Sequence, residues 1–204
     1  MDDQQPYCGG AGCGGILMAL ALLVVASGGL AYRLGTHWPY RVLRPYAPGV
    51  ILHHTATGAS AEGKPVDAAA IDQSHHRRGW GISDGHQTYH IGYHFLILPD
   101  GTVQPGRPEW MPGAHTSGHN RYLGVCLVGN FSSKANPDGG MQPDRPTIAQ
   151  LDALDKLLGE LMRRHGFSAD EIYGHSEFGA TECPGDRFDI DRVRKRLGGR
   201  VQHD

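Results

Sequence analysis

Three things are scarce in this 204-residue chain, and each scarcity removes a class of protein. Cysteine is one. The four present are Cys8 and Cys13 in a glycine-rich tail, Cys126 inside an apolar run and Cys183 in a polar stretch, and they do not form a disulfide framework. Charge of one sign is another. With 19 Lys and Arg against 21 Asp and Glu, both dispersed, the net charge is −2 and no basic stripe offers itself to nucleic acid. Long apolar runs are the third. Ile16 to Ala26 is uninterrupted, then trails through Ser27-Gly28-Gly29 to Tyr32. That is marginal against the roughly 20 residues a membrane-spanning helix needs, and long for a signal h-region. Asp2 and Asp3 precede the run with no Lys or Arg, while Arg33, Arg41 and Arg44 come after it. Taken literally, the positive-inside rule would keep the chain beyond the run cytoplasmic.

Histidine, by contrast, is abundant at thirteen residues, and position must decide which of them matter. The densest chemistry lies in Gly174-His175-Ser176-Glu177-Phe178-Gly179-Ala180-Thr181-Glu182-Cys183-Pro184-Gly185, where an imidazole and a thiol stand eight residues apart. Both are good zinc ligands, but two do not make a site. A third lies upstream in Val50-Ile51-Leu52-His53-His54-Thr55, a short apolar run that reads as a buried strand ending in histidine. Two histidines and one cysteine leave the fourth position of a tetrahedral zinc open to water, as in a catalytic site. Neighbours on a strand point to opposite faces, so spacing leaves open whether His53 or His54 faces the metal. A closed structural zinc would need a fourth ligand such as Glu177, Glu182 or His54. His90-Ile91-Gly92-Tyr93-His94 has the i, i+4 spacing of helical zinc sites but lacks the glutamate of HExxH and sits in β-like sequence. His75, His76, His165 and His203 read as solvated.

The remaining pattern predicts an α/β fold: a single domain with a mixed central β-sheet flanked by helices, preceded by the N-terminal apolar segment. Strands are expected over Val50–His53, Tyr93–Leu98, Thr102–Gln104, Leu123–Val128 and Ile172–Gly174. Thr55–Gly63 reads as loop and Ile82–Ile91 as a polar excursion. Helices are expected over Val66–Arg78, from Thr147 to Arg164 and over Asp191–Leu197. Thr147 with Gln150 matches a capping box, Leu151, Leu154, Leu158 and Leu161 line one face, and Gly166 is the stop.

Taken together, these residues resemble the peptidoglycan recognition protein and type 2 amidase family, which includes phage amidase lysozymes. The resemblance runs through Val50-Ile51-Leu52-His53-His54-Thr55, Arg78-Gly79-Trp80, Ile91-Gly92-Tyr93-His94-Phe95-Leu96-Ile97 and Asp100-Gly101. It continues through Gly113-Ala114-His115-Thr116, Val125-Cys126-Leu127-Val128-Gly129-Asn130-Phe131, Gly174-His175 and Thr181-Glu182-Cys183-Pro184-Gly185, in family order across Pro48 to Leu197. It implies Zn2+ held by His53, His175 and Cys183, catalytic assistance from Tyr93, and Thr181 near the reacting carbonyl. Trp80, Arg107, His115 and Asn120 become candidate substrate-binding residues of the cleft. Two departures stand out: Ile82–His90 looks inserted, and Ser176-Glu177 replaces the Arg-Asp that many relatives carry.

The implied reaction is zinc-dependent hydrolysis of the amide between N-acetylmuramic acid and L-alanine in peptidoglycan, with peptidoglycan or muropeptide as partner. Alternatives are a muropeptide-binding module that does not cut and a cytoplasmic amidase recycling wall fragments. The division expected is 1–33 as tail and apolar signal or anchor, 34–47 as linker and 48–204 as zinc amidase domain. Membrane association is expected through residues 16–32. The location of the substrate favours the cell envelope, anchored or exported.

Overall fold

Alternation of side chains along a few short strands sets the architecture. The computed structural model describes residues 47–201, so the apolar segment 16–32 and nearly all of the 34–47 linker lie outside the described residues, as does the expectation of membrane association built on them. Among the described residues no helix is long and apolar enough to cross a membrane. In chain order the elements are β1 (Val50–His54), β2 (Ser60–Ala61), β3 (Lys64–Pro65), α1 (Ala68–His76), β4 (Ile82–Ser83), β5 (Thr88–Tyr89) and β6 (Phe95–Ile97). Then come β7 (Val103–Pro105), β8 (Leu123–Leu127), α2 (Ile148–His165), β9 (Ile172–Gly174) and α3 (Ile190–Val201). The main sheet runs β7-β6-β8-β1-β9. Its β6–β8, β8–β1 and β1–β9 pairings are parallel, and β7 closes one edge as the antiparallel partner of β6. This is the mixed central sheet expected from the sequence.

Both faces of that sheet are covered, as parallel strands require. Val50 and Leu52 of β1, with Leu123, Val125 and Leu127 of β8, pack on Leu154, Leu158 and Leu161 of α2 and on Val193 and Leu197 of α3. The opposite face buries Leu96, Cys126 and Val128 beneath Val66, Ala68 and Ile71 at the start of α1. Full burial of each leucine in the first layer contributes roughly 1.5–3 kcal/mol. The capping box is present in both directions: the Gln150 N–H donates to Thr147 Oγ1 at 3.0 Å and the Thr147 N–H donates to Gln150 Oε1 at 3.1 Å. Gly166 ends α2 in the left-handed region at φ 79°.

Several boundaries differ from the sequence expectation, each for a local reason. Helix α1 starts at Ala68 because Asp67 caps it, its carboxylate accepting the Ala70 N–H at 2.8 Å. The stretch read as loop between Thr55 and Gly63 closes with β2 and β3 as a small hairpin whose turn residues Glu62 and Gly63 both take positive φ, 52° and 75°. That is the geometry of a primed turn, reached without the Asn-Gly or Asp-Gly that would signal it. The stretch read as a polar excursion closes as a second hairpin, β4–β5, pairing Ile82 with Tyr89 and Ser83 with Thr88. The strand expected from Tyr93 to Leu98 shrinks to Phe95–Ile97, although the His94 N–H still donates to the Gly124 carbonyl at 2.8 Å. Helix α3 extends past the expected Asp191–Leu197 at both ends.

Candidate functional site

The C-terminal ends of the parallel strands carry the chemistry, where open α/β sheets form their clefts. Strand β1 ends in His53 and His54, which the pleat sends to opposite faces. His53 stands beside Cys126 in register and is 1% exposed. His54 turns to the other side, where its Nδ1 accepts the Phe131 N–H at 3.0 Å. The neighbours that sequence spacing could not tell apart are separated by what they meet.

His175 comes directly after β9, on a 3-10 turn fixed by Glu177, whose carboxylate accepts the Gly174 N–H at 2.6 Å and pairs with Arg194 at 2.8 Å. Cys183 lies back against this turn, the Ser176 N–H donating to the Cys183 carbonyl at 2.8 Å. The result is convergence: one ligand atom each from His53, His175 and Cys183 lies within 4.8 Å of the others. Cys183 Sγ is 3.5 Å from His53 Nδ1, and the His53 and His175 ring centroids are 4.7 Å apart. The three line an open cavity of about 530 Å³ together with Tyr93, Thr181 and Trp80.

A chain of hydrogen bonds sets the tautomer of His53. The Tyr122 carbonyl can only accept, so His115 Nε2, 3.0 Å away, carries the proton and donates to it. His115 Nδ1 is then an acceptor, and it lies 3.1 Å from His53 Nε2, which donates to it. His53 Nδ1 therefore presents its lone pair on the side of Cys183. Asn120 holds His115 in place, its Oδ1 accepting the N–H groups of His115 and Thr116 at 2.9 and 3.0 Å. Gly124 lies under the ring: a Cβ there would come within 2.6 Å of His115 Cδ2.

Burial keeps these rings neutral. It holds the His53 pKa well below the ordinary imidazole value, with His115 and His175 adding to the effect, and it lowers His175 too. Burial brings His115 to about 3 and His75 to about 4. The Cys183 thiol is pushed up to about 12 by burial, against the opposing pull of the His54 backbone N–H. Tyr93 is held well above the usual phenol range, first by burial and then by the neighbouring Cys126 and Cys183.

The candidates named from sequence separate into groups. His53, His175, Cys183, Tyr93, Thr181, Trp80 and His115 all border the cavity. Arg107 does not: it is 4% exposed and donates to the carbonyls of Ile91, Pro112 and Trp80 at 3.0, 2.9 and 2.8 Å. Asn120 lies outside the lining as well and acts on His115 instead. Two histidines read as solvated are enclosed. His75 accepts the Gly92 N–H at 2.9 Å and borders the cavity, while His165 is 4% exposed at its side chain and meets Glu109 at 2.6 Å. His90 and His94 do not converge: His94 is held between the Met111 carbonyl and the Gly124 N–H, both at 2.9 Å, and His90 turns to Asp72. Cys126, which the sequence places only inside an apolar run, is fully buried, and its thiol meets the Tyr93 hydroxyl.

A mixed α/β sheet that gathers two imidazoles and a thiol at the ends of its parallel strands, on the wall of an open cavity, defines a class of hydrolytic domain. The model of the N-acetylmuramoyl-L-alanine amidase family, Amidase_2, matches residues 44–186, and the chain belongs to that family of enzymes. It is 34% identical over 144 residues to the endolysin of Klebsiella phage KP32, covering 70% of this chain and 82% of the phage protein. It is also 34% identical over 155 residues to peptidoglycan-recognition protein SC1a/b of Drosophila simulans, covering 74% of each. Among solved structures it is similar to N-acetylmuramoyl-L-alanine amidase LysC from Clostridium intestinale URNW, with a TM-score of 0.60 and 29% identity over 74% of this chain and 85% of that one.

Proposed function

We propose that this chain hydrolyses the amide joining the lactyl group of N-acetylmuramic acid to L-alanine in peptidoglycan, with zinc held by His53, His175 and Cys183. The observation that carries the reading is the convergence of those three ligand atoms within 4.8 Å on the wall of an open cavity. The donor set fits zinc. Two neutral imidazoles and a cysteine sulfur, which would give up its proton on binding, match its borderline-soft preference, and three protein ligands would leave room for a water. When bound there, zinc supplies a Lewis acid and a water of lowered pKa.

The rest of the chemistry falls to the chain's own side chains. Tyr93 sits 5.1 Å from His53, centroid to centroid, and its raised pKa keeps the phenol protonated at neutral pH. It is therefore a donor to the oxyanion that develops on the scissile carbonyl, not a base. Thr181 accepts the Cys183 N–H at 3.2 Å through Oγ1, which leaves its hydroxyl hydrogen to serve as a second donor. Trp80, 36% exposed at the cavity edge with Arg78 stacked over it at 5.1 Å, supplies an apolar wall for the substrate. The phage relatives carry the name endolysin and the insect relatives that of peptidoglycan recognition, which supports an activity at the cell wall. Digestion of purified cell wall with and without a chelator tests the reading. Stem peptides bearing a free L-alanine amine should be released only in the chelator-free arm; wall binding without release would make the chain a recognition module.

A further inference from the structure

The β4–β5 hairpin brings a second pair of histidines together at the C-terminal end of α1. His90, just after β5, is anchored by Asp72: the N–H groups of His90 and Ile91 donate to Asp72 Oδ1 at 2.7 and 2.8 Å. Asp72 Oδ2 lies 3.2 Å from His90 Nδ1. Burial pushes the Asp72 carboxyl up, but the Ile91 and His90 N–H groups outweigh it and hold it below the ordinary carboxylate range. An ionised carboxylate only accepts, so His90 Nδ1 carries the proton and Nε2 carries the lone pair. That lone pair points at His76 Nδ1, 2.7 Å away, from the last residue of α1. The two rings stand nearly perpendicular, at 80°, with centroids 4.2 Å apart. His76 is exposed, so its ring can swing and shift its proton to Nε2.

We propose that His76 and His90 form a binding site for a late divalent transition metal of tetragonal preference, Cu2+ or Ni2+, separate from His53, His175 and Cys183. The carboxylate behind His90 is the usual partner of a metal-bound imidazole, fixing its tautomer and raising its basicity. Ligand type selects the metal. The 2.7 Å between the nitrogens is the length of their hydrogen bond, and once the exposed His76 ring swings both lone pairs can meet at one ion about 2.0 Å from each. Imidazole nitrogens suit both copper and nickel, and Cu2+ stands highest in the affinity order of the divalent first-row ions. Water completes the coordination at this exposed edge. Binding needs no net proton loss when both rings are neutral, because the His76 proton moves from Nδ1 to Nε2. The ion ties the β4–β5 hairpin to α1, across the segment that holds Trp80.

The test is titration of the zinc-loaded full chain with Cu2+, read by calorimetry, electron paramagnetic resonance and absorption. The expected result is one copper equivalent with a Kd on the order of 10 µM. It should show nitrogen coupling and no thiolate charge-transfer band, which keeps it distinct from copper entering at Cys183. His76→Gln and His90→Gln should each weaken binding at least tenfold, and Asp72→Asn about 10–100-fold through loss of the carboxylate behind His90. His76 is on the surface, so His76→Gln decides the matter even if the other variants fold poorly. A copper equivalent that survives His76→Gln unchanged, or the absence of any nitrogen-ligated copper below about 100 µM, overturns the proposal.

Discussion

His115 Nδ1 lies 3.1 Å from His53 Nε2, and the Tyr122 carbonyl behind His115 decides which way the proton between them points. The lone pair that His53 offers on the side of Cys183 is thus fixed from the strand β8 end of the sheet, through a residue that is not itself one of the three converging ligands. His115→Phe keeps the bulk but removes the acceptor. It should lower zinc affinity about 10–100-fold, the range found when the outer partner of a metal-bound histidine is lost. Competition against a chromogenic chelator reads this directly, and an unchanged zinc affinity would show that His53 needs no outside help.

Gly124→Ala tests the same relay from below. A methyl there would press on His115 Cδ2 at 2.6 Å with no flexible chain end to give way, since the imidazole is held at both nitrogens. The expected cost is about 1–3 kcal/mol of stability, as for other overpacked sites. Zinc affinity should fall alongside it. Urea denaturation and the chelator assay together check the pairing; a stability loss with unaltered zinc affinity would mean that the ring moves without disturbing His53.

Tyr93→Phe removes one hydroxyl and little else from a half-buried ring between His53 and His75. Turnover should drop by roughly 10²–10³, the usual effect of losing one oxyanion donor. Bound zinc, measured by elemental analysis, should stay at the wild-type level. If turnover is retained, Tyr93 is not the donor and Thr181 carries that role alone.

Much of the fold was legible because its cues are local. The apolar runs of β1 and β8, the capping box at Thr147 and the leucine stripe of α2 each depend on a few neighbouring residues. The gathering of His53, His175 and Cys183 was legible from ligand chemistry and the resemblance together, because β1 and β9 are adjacent and parallel. What could not be read was satisfied from a distance. His75 lies on a helix whose apolar face is mostly alanine, and its burial comes from Gly92, Trp80 and Tyr93 further along the chain. Arg107 looked like a cleft cation, yet its donors are spent on three backbone carbonyls from three separate segments. Likewise, strand periodicity alone could not separate His53 from His54, which the partners Cys126 and Phe131 do.

Buried neutral histidines make stability depend on pH in a defined window. His94 is brought to about 4 by burial, against the pull of the Met111 carbonyl, and burial likewise brings His54 and His75 to about 4. The unfolded chain, with imidazoles near the ordinary 6.5, binds protons that the folded one refuses between these values. The stability these three rings contribute is therefore full above about pH 6.5, is lost as pH drops towards 4 and levels below it. A shift of about 2.5 units is worth about 3 kcal/mol per histidine at the acid limit. Urea midpoints at pH 7 and pH 5 should show the fall, and His94→Gln should reduce the pH slope by about one proton. A midpoint independent of pH over this range would contradict the assignment of these rings as neutral.

Arg107 offers the sharpest separation between holding the cavity together and touching what enters it. Its guanidinium joins Ile91, beside the Tyr93 turn, to Pro112 and to the backbone of Trp80. Burial pulls its pKa down from the ordinary arginine range, but a guanidinium stays charged in a protein and needs those carbonyls. Arg107→Met leaves the buried Ile91 carbonyl and the part-buried Pro112 and Trp80 carbonyls without their donor and should cost about 2–4 kcal/mol. The loss should appear as a lower urea midpoint, with kcat kept at temperatures where the variant remains folded. A variant of wild-type stability with a raised KM would instead put Arg107 in contact with the substrate.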